Sequence, residues 1–383
     1  MKISHQWLTS LVDVPGDDVP APHTIAQILT GAGLEVEGVH PVGHEVRSIL
    51  VGEIRGKSPH PKADKLTVVE LFDGTAVLQV VCGASNLPPI GGKVAFAPVG
   101  AVLPGGLQIG ARELRGVASQ GMICSETELE IGGDDSGILI LPPDWPAGAR
   151  LVDMVPGIED AIIEIGVTPN RPDALGHLGV ARDVATKLGG TLRPPAAPAP
   201  AGAIDPSLVT IAAPDRCGRY FGYVLEDISV GPSPLWLRVR LHRLGLRAIS
   251  NVVDVTNYVL MELGHPLHAF DRDRLAEGRV VVRMAGDEEP MTTLDGKTIR
   301  LSTHDLVIAD AKEPQALAGV MGGAHSAVSG GTKDLLLEAA WFNPQGIRAT
   351  ARRHGYATDS SYRFERGVDH GAGLERAALR ALA

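Results

Sequence analysis

The sequence predicts an α+β protein of several domains, in which a small β-barrel is inserted in an α/β domain and followed by a second α+β domain. Three observations predict this organisation. The chain has 383 residues, which is too long for one ordinary hydrophobic core. A Pro- and Ala-rich stretch near residue 200 divides it, and short β-type segments before it are flanked by helical patterns. We therefore place the domains at 1–39 plus 151–192, 40–150 and 207–383, with a linker at 193–206.

The composition is that of a soluble globular protein, with 44% hydrophobic and 21% charged residues. No stretch approaches the ~20 apolar residues of a membrane span, and the opening residues lack the apolar run of a signal peptide. Cys82, Cys124 and Cys217 are odd in number and far apart, so neither a disulfide framework nor a zinc site is expected. These features favour a cytoplasmic protein without a membrane partner.

The charge distribution leaves two interpretations open. The net charge of −10 argues against indiscriminate nucleic-acid binding, which needs clustered Lys and Arg. Yet residues 228–253 contain four Arg and no acid, and residues 343–383 contain seven Arg against four acids. These runs are either solvated helix faces or a surface that faces phosphates.

Residues before the linker predict a barrel between two helical segments. Leu66 to Gly83 contains two Val- and Leu-rich runs around Asp73-Gly74, which is a strong hairpin pattern. About five short strands between 40 and 150 indicate a small closed barrel of the oligonucleotide-binding type. Helical spacing of apolar residues predicts helices at His23–Gly33 and Ala174–Gly189 on either side of it.

Residues after the linker predict an α+β domain. Ser233-Pro234 is a helix start, with the helix running to about Gly245, and a second helix is expected from Ser250 to Leu263 before Gly264. Asn343-Pro344 starts another helix, and the last helix is cut off in mid-pattern, which we interpret as truncation. Strands are expected between these helices, at Arg279–Met284, Lys297–Leu301, Asp305–Ala309 and Leu335–Glu338.

Several long strings resemble the bacterial phenylalanine–tRNA ligase β subunit, in that family's order and over essentially the whole chain. They include VGEIRGKSPHPKADKLTVVELFDG (51–74), RGVASQGMICSETEL (115–129), TPNRPDALGHLGVARDVA (168–185), NVVDVTNYVLMELGHPLHAFD (251–271), ALAGVMGG (316–323), LLLEAAWFNP (335–344) and TDSSYRFERGVD (358–369). The resemblance implies an N-terminal portion of that subunit. In this family the module after the linker is an editing domain, which hydrolyses tRNA(Phe) wrongly charged with tyrosine.

The resemblance also implies site residues. Glu338 matches the family's reader of the tyrosine hydroxyl, and His268 matches the editing-site histidine. Without the family, Glu338 would be interpreted as a solvent-facing strand end and His268 as a satisfied core residue. The resemblance further assigns catalytic positions to Asn257 and Thr358, and substrate-binding positions to Arg247, Gly322 and Ser360. Hydrolysis is then expected to rely on a positioned water and the hydroxyls of the tRNA.

Two further sites have weaker patterns. His265 and His268 form His-x-x-His with Asp271 nearby, but no third ligand has the required spacing, so no metal site is predicted. The barrel segment 40–150 carries nine Lys and Arg against twelve acids, a net of −3, with its cations clustered at 55–65. We predict weak tRNA contact through Lys57, Lys62 and Lys65, and a purely structural role for the barrel is the alternative.

The family pairs each β subunit with an α subunit that holds the ATP- and Phe-binding site, in a heterotetramer of two α and two β chains. The resemblance thus implies a ligase subunit whose partners are tRNA(Phe) and the α subunit. ATP and Mg²⁺ belong to the full enzyme, and no cofactor is expected in this stretch, which has neither a P-loop nor a dinucleotide fingerprint. The alternative function is a non-catalytic tRNA-binding or scaffold fragment, inactive without the rest of the subunit.

Overall fold

A computed structural model describes residues 1–17, 19–199, 202 and 205–383. The predicted linker at 193–206 falls partly on positions 200, 201, 203 and 204, which lie outside the described residues. Its described part from 193 to 199 forms neither helix nor strand. None of the helices in these described ranges has both the length and the apolar character needed to cross a bilayer.

The first 42 residues open the N-terminal domain with short strands and two helices. The hydroxyl of Ser4 caps the first helix by accepting the Trp7 N–H at 3.0 Å, and Pro22 occupies the first turn of the second. Trp7 is buried, and its ring stacks on His177 at 4.2 Å and on Tyr258 of the last domain at 4.5 Å. The elements are β1 (Lys2–Ser4), α1 (His5–Ser10), β2 (Val12–Asp13), α2 (Pro22–Gly31) and β3 (Glu35–Val42).

The next segment forms the predicted small barrel. Its strands are β4 (Leu50–Pro59), β5 (Thr67–Phe72), β6 (Val77–Cys82), β7 (Lys93–Ala97), β8 (Ala111–Leu114), β9 (Val117–Gln120), β10 (Met122–Ile123) and β11 (Ile140–Leu141). The sheet order is β10-β7-β4-β5-β6, with β11 beside β7, and β9 and β10 lie against β6 so that the sheet nearly closes. The Asp73 carboxylate accepts the N–H groups of Thr75 and Ala76 and thereby fixes the predicted hairpin turn.

The chain then returns to the N-terminal domain through α3 (Leu151–Met154), β12 (Asp160–Gly166), α4 (His177–Leu188) and β13 (Thr191–Leu192). β12 pairs with both β1 and β3, and its first residue, Asp160, lies opposite Val42, the last residue of β3. The barrel therefore leaves and rejoins this sheet at neighbouring positions. This arrangement confirms the predicted fold class, a small barrel inserted in a domain of helices and a sheet.

The remaining chain alternates strands and helices. These elements are β14 (Val209–Ile211), β15 (Cys217–Leu225), α5 (Leu235–Arg243), α6 (Asn251–Leu263), β16 (Leu267–Asp271), β17 (Val280–Met284), β18 (Pro290–Thr292), β19 (Thr298–Arg300), β20 (Leu306–Ala309), β21 (Pro314–Leu317), β22 (Met321–Gly322), β23 (Leu335–Phe342), α7 (Pro344–His354), α8 (Asp359–Phe364) and α9 (Ala372–Leu382). Short 3₁₀ turns lie at Pro15–Asp17, His44–Ser48, Pro104–Gly106, Pro172–Leu175, Arg272–Arg274 and Ala276–Gly278.

Two sheets face each other in this last domain. One has the order β15-β23-β16, and the other has the order β14-β17-β20-β21-β22. Successive side chains of a strand point to opposite faces, so β23 serves two layers. Leu336, Ala340 and Phe342 join the core between the sheets, whereas Ala339 packs against Leu374 and Ala378 of α9 on the other face. The even-numbered residues of β23 therefore look into the space between the sheets.

Two element predictions need correction. Ser233 does not cap α5, which begins at Leu235, because its hydroxyl instead donates to the Asp254 carboxylate. The strand predicted at Leu335–Glu338 continues to Phe342, since its partners β15 and β16 extend along both edges. Glu338 is therefore in the middle of a central strand, where both faces of the sheet are covered.

The basic run at 228–253 matches neither of its two interpretations. Arg238 forms an ion pair with Glu126 of the barrel segment, and Arg243 donates to the Glu130 and Ile158 carbonyls. The Arg240 guanidinium lies over the Trp7 ring, 4.9 Å from its centroid. These three side chains therefore join α5 to the N-terminal domain and the barrel segment, and Arg247 is the one exposed residue among the four arginines of the run.

Candidate functional site

The space between the two sheets contains a cavity of about 390 Å³, counting its open mouth. One wall comes from β16 and β23, and the opposite wall comes from β20, β21 and β22, with α8 at one side. The residues that line it are Pro266, Leu267, His268, Ile308, Ala316, Leu317, Gly319, Val320, Met321, Gly322, Glu338, Ser360 and Phe364. Four predicted site residues, His268, Gly322, Glu338 and Ser360, therefore meet in one cavity.

Glu338 is the acidic residue of this lining. Its side chain is 6% exposed, and its Oε2 accepts a hydrogen bond of 2.8 Å from the Tyr220 hydroxyl of β15. Its Oε1 has no hydrogen-bond partner in the described part of the chain. Because this oxygen is not fully buried and Glu338 lines the cavity, Oε1 is open to the cavity. Burial raises the pKa of Glu338 to about 7, and the Tyr220 hydrogen bond opposes this rise.

His268 lies directly opposite Glu338 across the β16–β23 pair. Its ring contacts the Phe270 ring edge-on, with centroids 4.5 Å apart. Desolvation lowers the pKa of His268 to about 4, so the imidazole is neutral at physiological pH. The site thus presents a neutral nitrogen base beside an acceptor oxygen.

Gly322 brings the backbone of the second sheet close to this histidine. A β-carbon built at Gly322 would lie 2.7 Å from His268 Cε1 and 2.7 Å from Leu294 Cδ1. Any side chain at this position would enter the space beside the imidazole. Glycine is therefore required for the width of the cavity at His268.

Thr358 is placed behind the cavity wall. It is the N-cap of α8, and its hydroxyl accepts the Ser361 N–H and donates to the Val320 carbonyl at 2.9 Å. Val320 and Ser360 line the cavity, and Thr358 itself does not. The structure thus places Thr358 where it supports the cavity wall, and its predicted catalytic role stays a prediction.

Asn257 and Arg247 are not among the residues that line the cavity. Asn257 is partly buried on α6, whose neighbouring residues Val255 and Thr256 line a separate apolar groove. Arg247 is exposed in the connection between α5 and α6. The geometry joins neither residue to Glu338 and His268, and their predicted roles in the site stay predictions.

His265 faces away from this cavity. Its ring lies edge-on to Phe364, with centroids 6.2 Å apart, and its buried Nε2 has no hydrogen-bond partner in the described residues. It lines a different cleft, together with Arg182 and Asp369. Among the residues described here, no three His, Cys, Asp or Glu side chains are grouped so that they could hold a metal ion.

Tyr220 is the site residue that sequence reasoning missed. A buried carboxylate needs a hydrogen-bond partner, and the partner of Glu338 lies 118 positions away in the chain. Only the pairing of β15 with β23 brings the two side chains together. The aromatic residues of β15, Tyr220, Phe221 and Tyr223, are typical of a strand, but they do not indicate which strand pairs with it.

The three lysines predicted to contact RNA are all on the surface of the barrel. Lys57, Lys62 and Lys65 are exposed, and Lys57 Nζ donates to the Pro88 carbonyl at 3.1 Å. A β-carbon built at Gly116 would lie 3.2 Å from Lys62 Nζ, which brings the turn with Arg115 into the same region. Four other cations of the segment form ion pairs, namely Arg47 with Glu159, Arg55 and Lys93 with Glu53, and Arg150 with Asp153.

Comparison with known protein families matches two parts of the chain. Residues 49–150 match the family described as "Putative tRNA binding domain", and residues 216–383 match the B3/4 domain. The chain is 50% identical over 375 residues to a phenylalanine–tRNA ligase β subunit of Anaeromyxobacter dehalogenans, covering 97% of this chain and 46% of that protein. It is 45% identical over 384 residues to the β subunit of Syntrophus aciditrophicus, covering 100% of this chain and 47% of that protein.

A solved structure shows a fainter likeness. An N-terminal fragment of the phenylalanyl-tRNA synthetase β subunit from Pyrococcus horikoshii is 13% identical, with a TM-score of 0.28 over 51% of this chain and 61% of that one. This likeness is too weak to inform the fold. The chain spans about half the length of the curated relatives that it matches.

Proposed function

The chain belongs to the phenylalanine–tRNA ligase β-subunit family, and on that premise we propose that the cavity between its two sheets hydrolyses tyrosine wrongly attached to tRNA(Phe). The single observation that carries the proposal is the carboxylate of Glu338, buried in an apolar wall with one oxygen open to the cavity. This chain covers about half the length of its relatives. The ligase activity of the whole protein is therefore also a proposal.

An editing activity is useful because binding alone discriminates poorly between phenylalanine and tyrosine. A hydrophobic pocket shaped for phenylalanine rejects an added hydroxyl by only about 10²-fold. A second site that hydrogen-bonds the hydroxyl can select the error. Glu338 suits this task, because an ionised acceptor makes a stronger hydrogen bond to a phenol than a neutral group does.

The apolar lining fits the rest of a tyrosyl group. Ile308, Leu317 and Val320 present aliphatic surface, and Gly322 leaves room beside His268. With the phenol held at Glu338, the ester to the terminal ribose would lie toward the cavity mouth. The proposal thus assigns amino-acid recognition to the interior and bond cleavage to the rim.

Hydrolysis requires a water to attack the ester carbonyl, a ribose hydroxyl to leave, and protons to move between them. Neutral His268 is able to accept a hydrogen bond from the water, or from a ribose hydroxyl, and so orient it. The products are free tyrosine and uncharged tRNA(Phe).

Deacylation of Tyr-tRNA(Phe) by the purified chain tests this proposal. We expect hydrolysis above the uncatalysed rate, and hydrolysis near that rate for Glu338→Ala. Binding of the tRNA is measured in parallel, so that lost affinity is not mistaken for lost chemistry. A wild-type chain that binds tRNA and leaves Tyr-tRNA(Phe) intact would support the alternative function, a non-catalytic scaffold fragment.

We further propose that the barrel makes weak contacts with tRNA phosphates through Lys57, Lys62 and Lys65. Neutralising three phosphates contributes about 2.7 to the slope of log K against log salt for a duplex, and about 2.1 for a single strand. Replacing all three lysines by Ala is expected to weaken tRNA binding and to flatten the salt slope by about these amounts. Lys187→Ala on α4 of the N-terminal domain is the single-site control. An unchanged affinity and slope in the triple variant would leave the barrel a structural role.

The remaining partners belong to the whole enzyme. We propose that an α subunit supplies the aminoacylation site, with ATP and Mg²⁺, in an assembly of two α and two β chains. We place this enzyme in the cytoplasm, in agreement with three buried free cysteines in the described structure.

A further inference from the structure

Tyr220 hydrogen-bonds from behind the cavity wall to Glu338, the carboxylate that lines the cavity in the described part of the chain. Its hydroxyl donates to Glu338 Oε2 at 2.8 Å, while its ring is 8% exposed and packs in the core between the sheets. Tyr220 does not line the cavity, whereas Glu338 does. The hydrogen bond therefore occupies Glu338 Oε2 and leaves Oε1 for a ligand in the cavity.

The strand register explains this contact. On the β15–β23 pair, Gly222 lies opposite Glu338 and Tyr220 lies opposite Ala340, so Tyr220 and Glu338 are diagonal neighbours on the same face. Long aromatic side chains reach across such a diagonal. Because Gly222 has no side chain, nothing on the directly opposite residue separates the phenol from the carboxylate.

We propose that Tyr220 is a positioning and specificity-determining residue of the editing site, which fixes the Glu338 carboxylate so that only Oε1 is offered to the hydroxyl of the substrate. This inference rests on the proposed editing function. The phenol of Tyr220 occupies one acceptor oxygen in the manner that a substrate tyrosine would occupy the other. One carboxylate would then be shared by two phenols, one from the protein and one from the substrate.

Among the side chains around Glu338, Tyr220 is the one whose hydrogen bond favours the ionised carboxylate, against the burial that raises its pKa to about 7. The titratable side chains facing Glu338 are Tyr220 and Cys217 from β15 and His268 from β16. Burial raises the pKa of Tyr220 well above its usual value and that of Cys217 to about 12, and it lowers the pKa of His268 to about 4. All three are uncharged near neutral pH. The lining residues that β21, β22 and α8 contribute in the described structure, which include Leu317, Gly322 and Ser360, are not titratable.

The test compares Tyr220→Phe with Tyr223→Phe, a change of the same kind on the same strand but at a residue that does not contact Glu338. Deacylation of Tyr-tRNA(Phe) is measured between pH 6 and 8.5, with the uncatalysed rate subtracted. Loss of a hydrogen bond to a charged group changes the ionisation equilibrium by about tenfold or more, so the acid limb of the Tyr220→Phe profile is expected to move up by about one pH unit. Activity should then recover at the alkaline end. A rate reduced equally at every pH, or an unmoved profile, would overturn the inference.

A second measurement separates this inference from the editing function itself. The ¹³C-labelled carboxyl of Glu338, identified by its loss in Glu338→Gln, is titrated in the free protein. A higher titration midpoint in Tyr220→Phe than in the wild type supports the positioning role even if no deacylation is found. An equal midpoint contradicts it even if deacylation is strong.

If Tyr220→Phe does not fold, 3-fluorotyrosine is placed at position 220 instead. This residue keeps the ring and makes the phenol a stronger hydrogen-bond donor, so the titration midpoint of Glu338 is then expected to move down.

Discussion

Replacing Glu338 by Gln is expected to make the protein more stable at pH 8 than the wild type, while reducing Tyr-tRNA(Phe) hydrolysis by about 10- to 100-fold, the size expected from losing a charged hydrogen bond. In the folded state burial raises the pKa of Glu338 from 4.5 to about 7. The folded protein thus binds this proton more tightly than the unfolded chain. Stability is therefore lost as pH rises from about 4.5 to 7, and the whole loss is present above pH 7.

The size of this effect follows from the same shift. A change of about 2.5 pKa units corresponds to roughly 3 kcal/mol, which is an upper limit for one buried group. Glutamine keeps the shape and an acceptor for Tyr220 but carries no charge. Urea unfolding at pH 5 and at pH 8 measures the difference, which should be small at pH 5 and favour Glu338→Gln at pH 8. A difference that does not change with pH would show that Glu338 is not buried as an acid.

The second large effect is expected at Gly322. A β-carbon there would meet the His268 ring at 2.7 Å, so Gly322→Val should fill the space beside the imidazole and block the aminoacyl group. We expect deacylation to fall about 100-fold or more, and Gly322→Ala to lose about tenfold. The measurement is kcat/KM for Tyr-tRNA(Phe).

Gly330→Ala is the matched control for this change. A β-carbon at Gly330 has nothing within 4 Å, and the backbone there is not in the left-handed region. Thermal unfolding of all three variants separates blockage from misfolding, because the clash at Gly322 is with side-chain ends that are able to move. Full activity in a folded Gly322→Val protein would place the aminoacyl group elsewhere.

The fold was largely predictable because its signals are local. The Ser250 hydroxyl does cap α6, Gly264 ends that helix in the left-handed conformation, and Asn343 caps α7. The Asp73-Gly74 turn does join two barrel strands. Insertion of the barrel was also predictable, since helical patterns stood on both sides of it. Such features depend on residues a few positions apart.

The site was only partly predictable because it depends on distant strand pairing. Glu338, His268 and Gly322 follow the family resemblance and do meet in the cavity. Thr358 supports the wall from behind, and Asn257 and Arg247 lie outside the lining. Tyr220 reaches Glu338 through the pairing of β15 with β23, which no local pattern specifies. The contacts of the α5 arginines were not predictable for the same reason, because their partners lie in segments far away in the sequence.

The most direct test of the central claim is the ratio of kcat/KM for Tyr-tRNA(Phe) to that for Phe-tRNA(Phe), measured with the wild type and with Glu338→Gln. The two substrates differ only in the hydroxyl that Glu338 Oε1 is proposed to bind. We predict strong preference for the tyrosyl ester in the wild type, and loss of most of that preference in the variant. Equal hydrolysis of both esters by the wild type, or a preference that survives in Glu338→Gln, would contradict the assignment of Glu338 as the reader of the tyrosine hydroxyl.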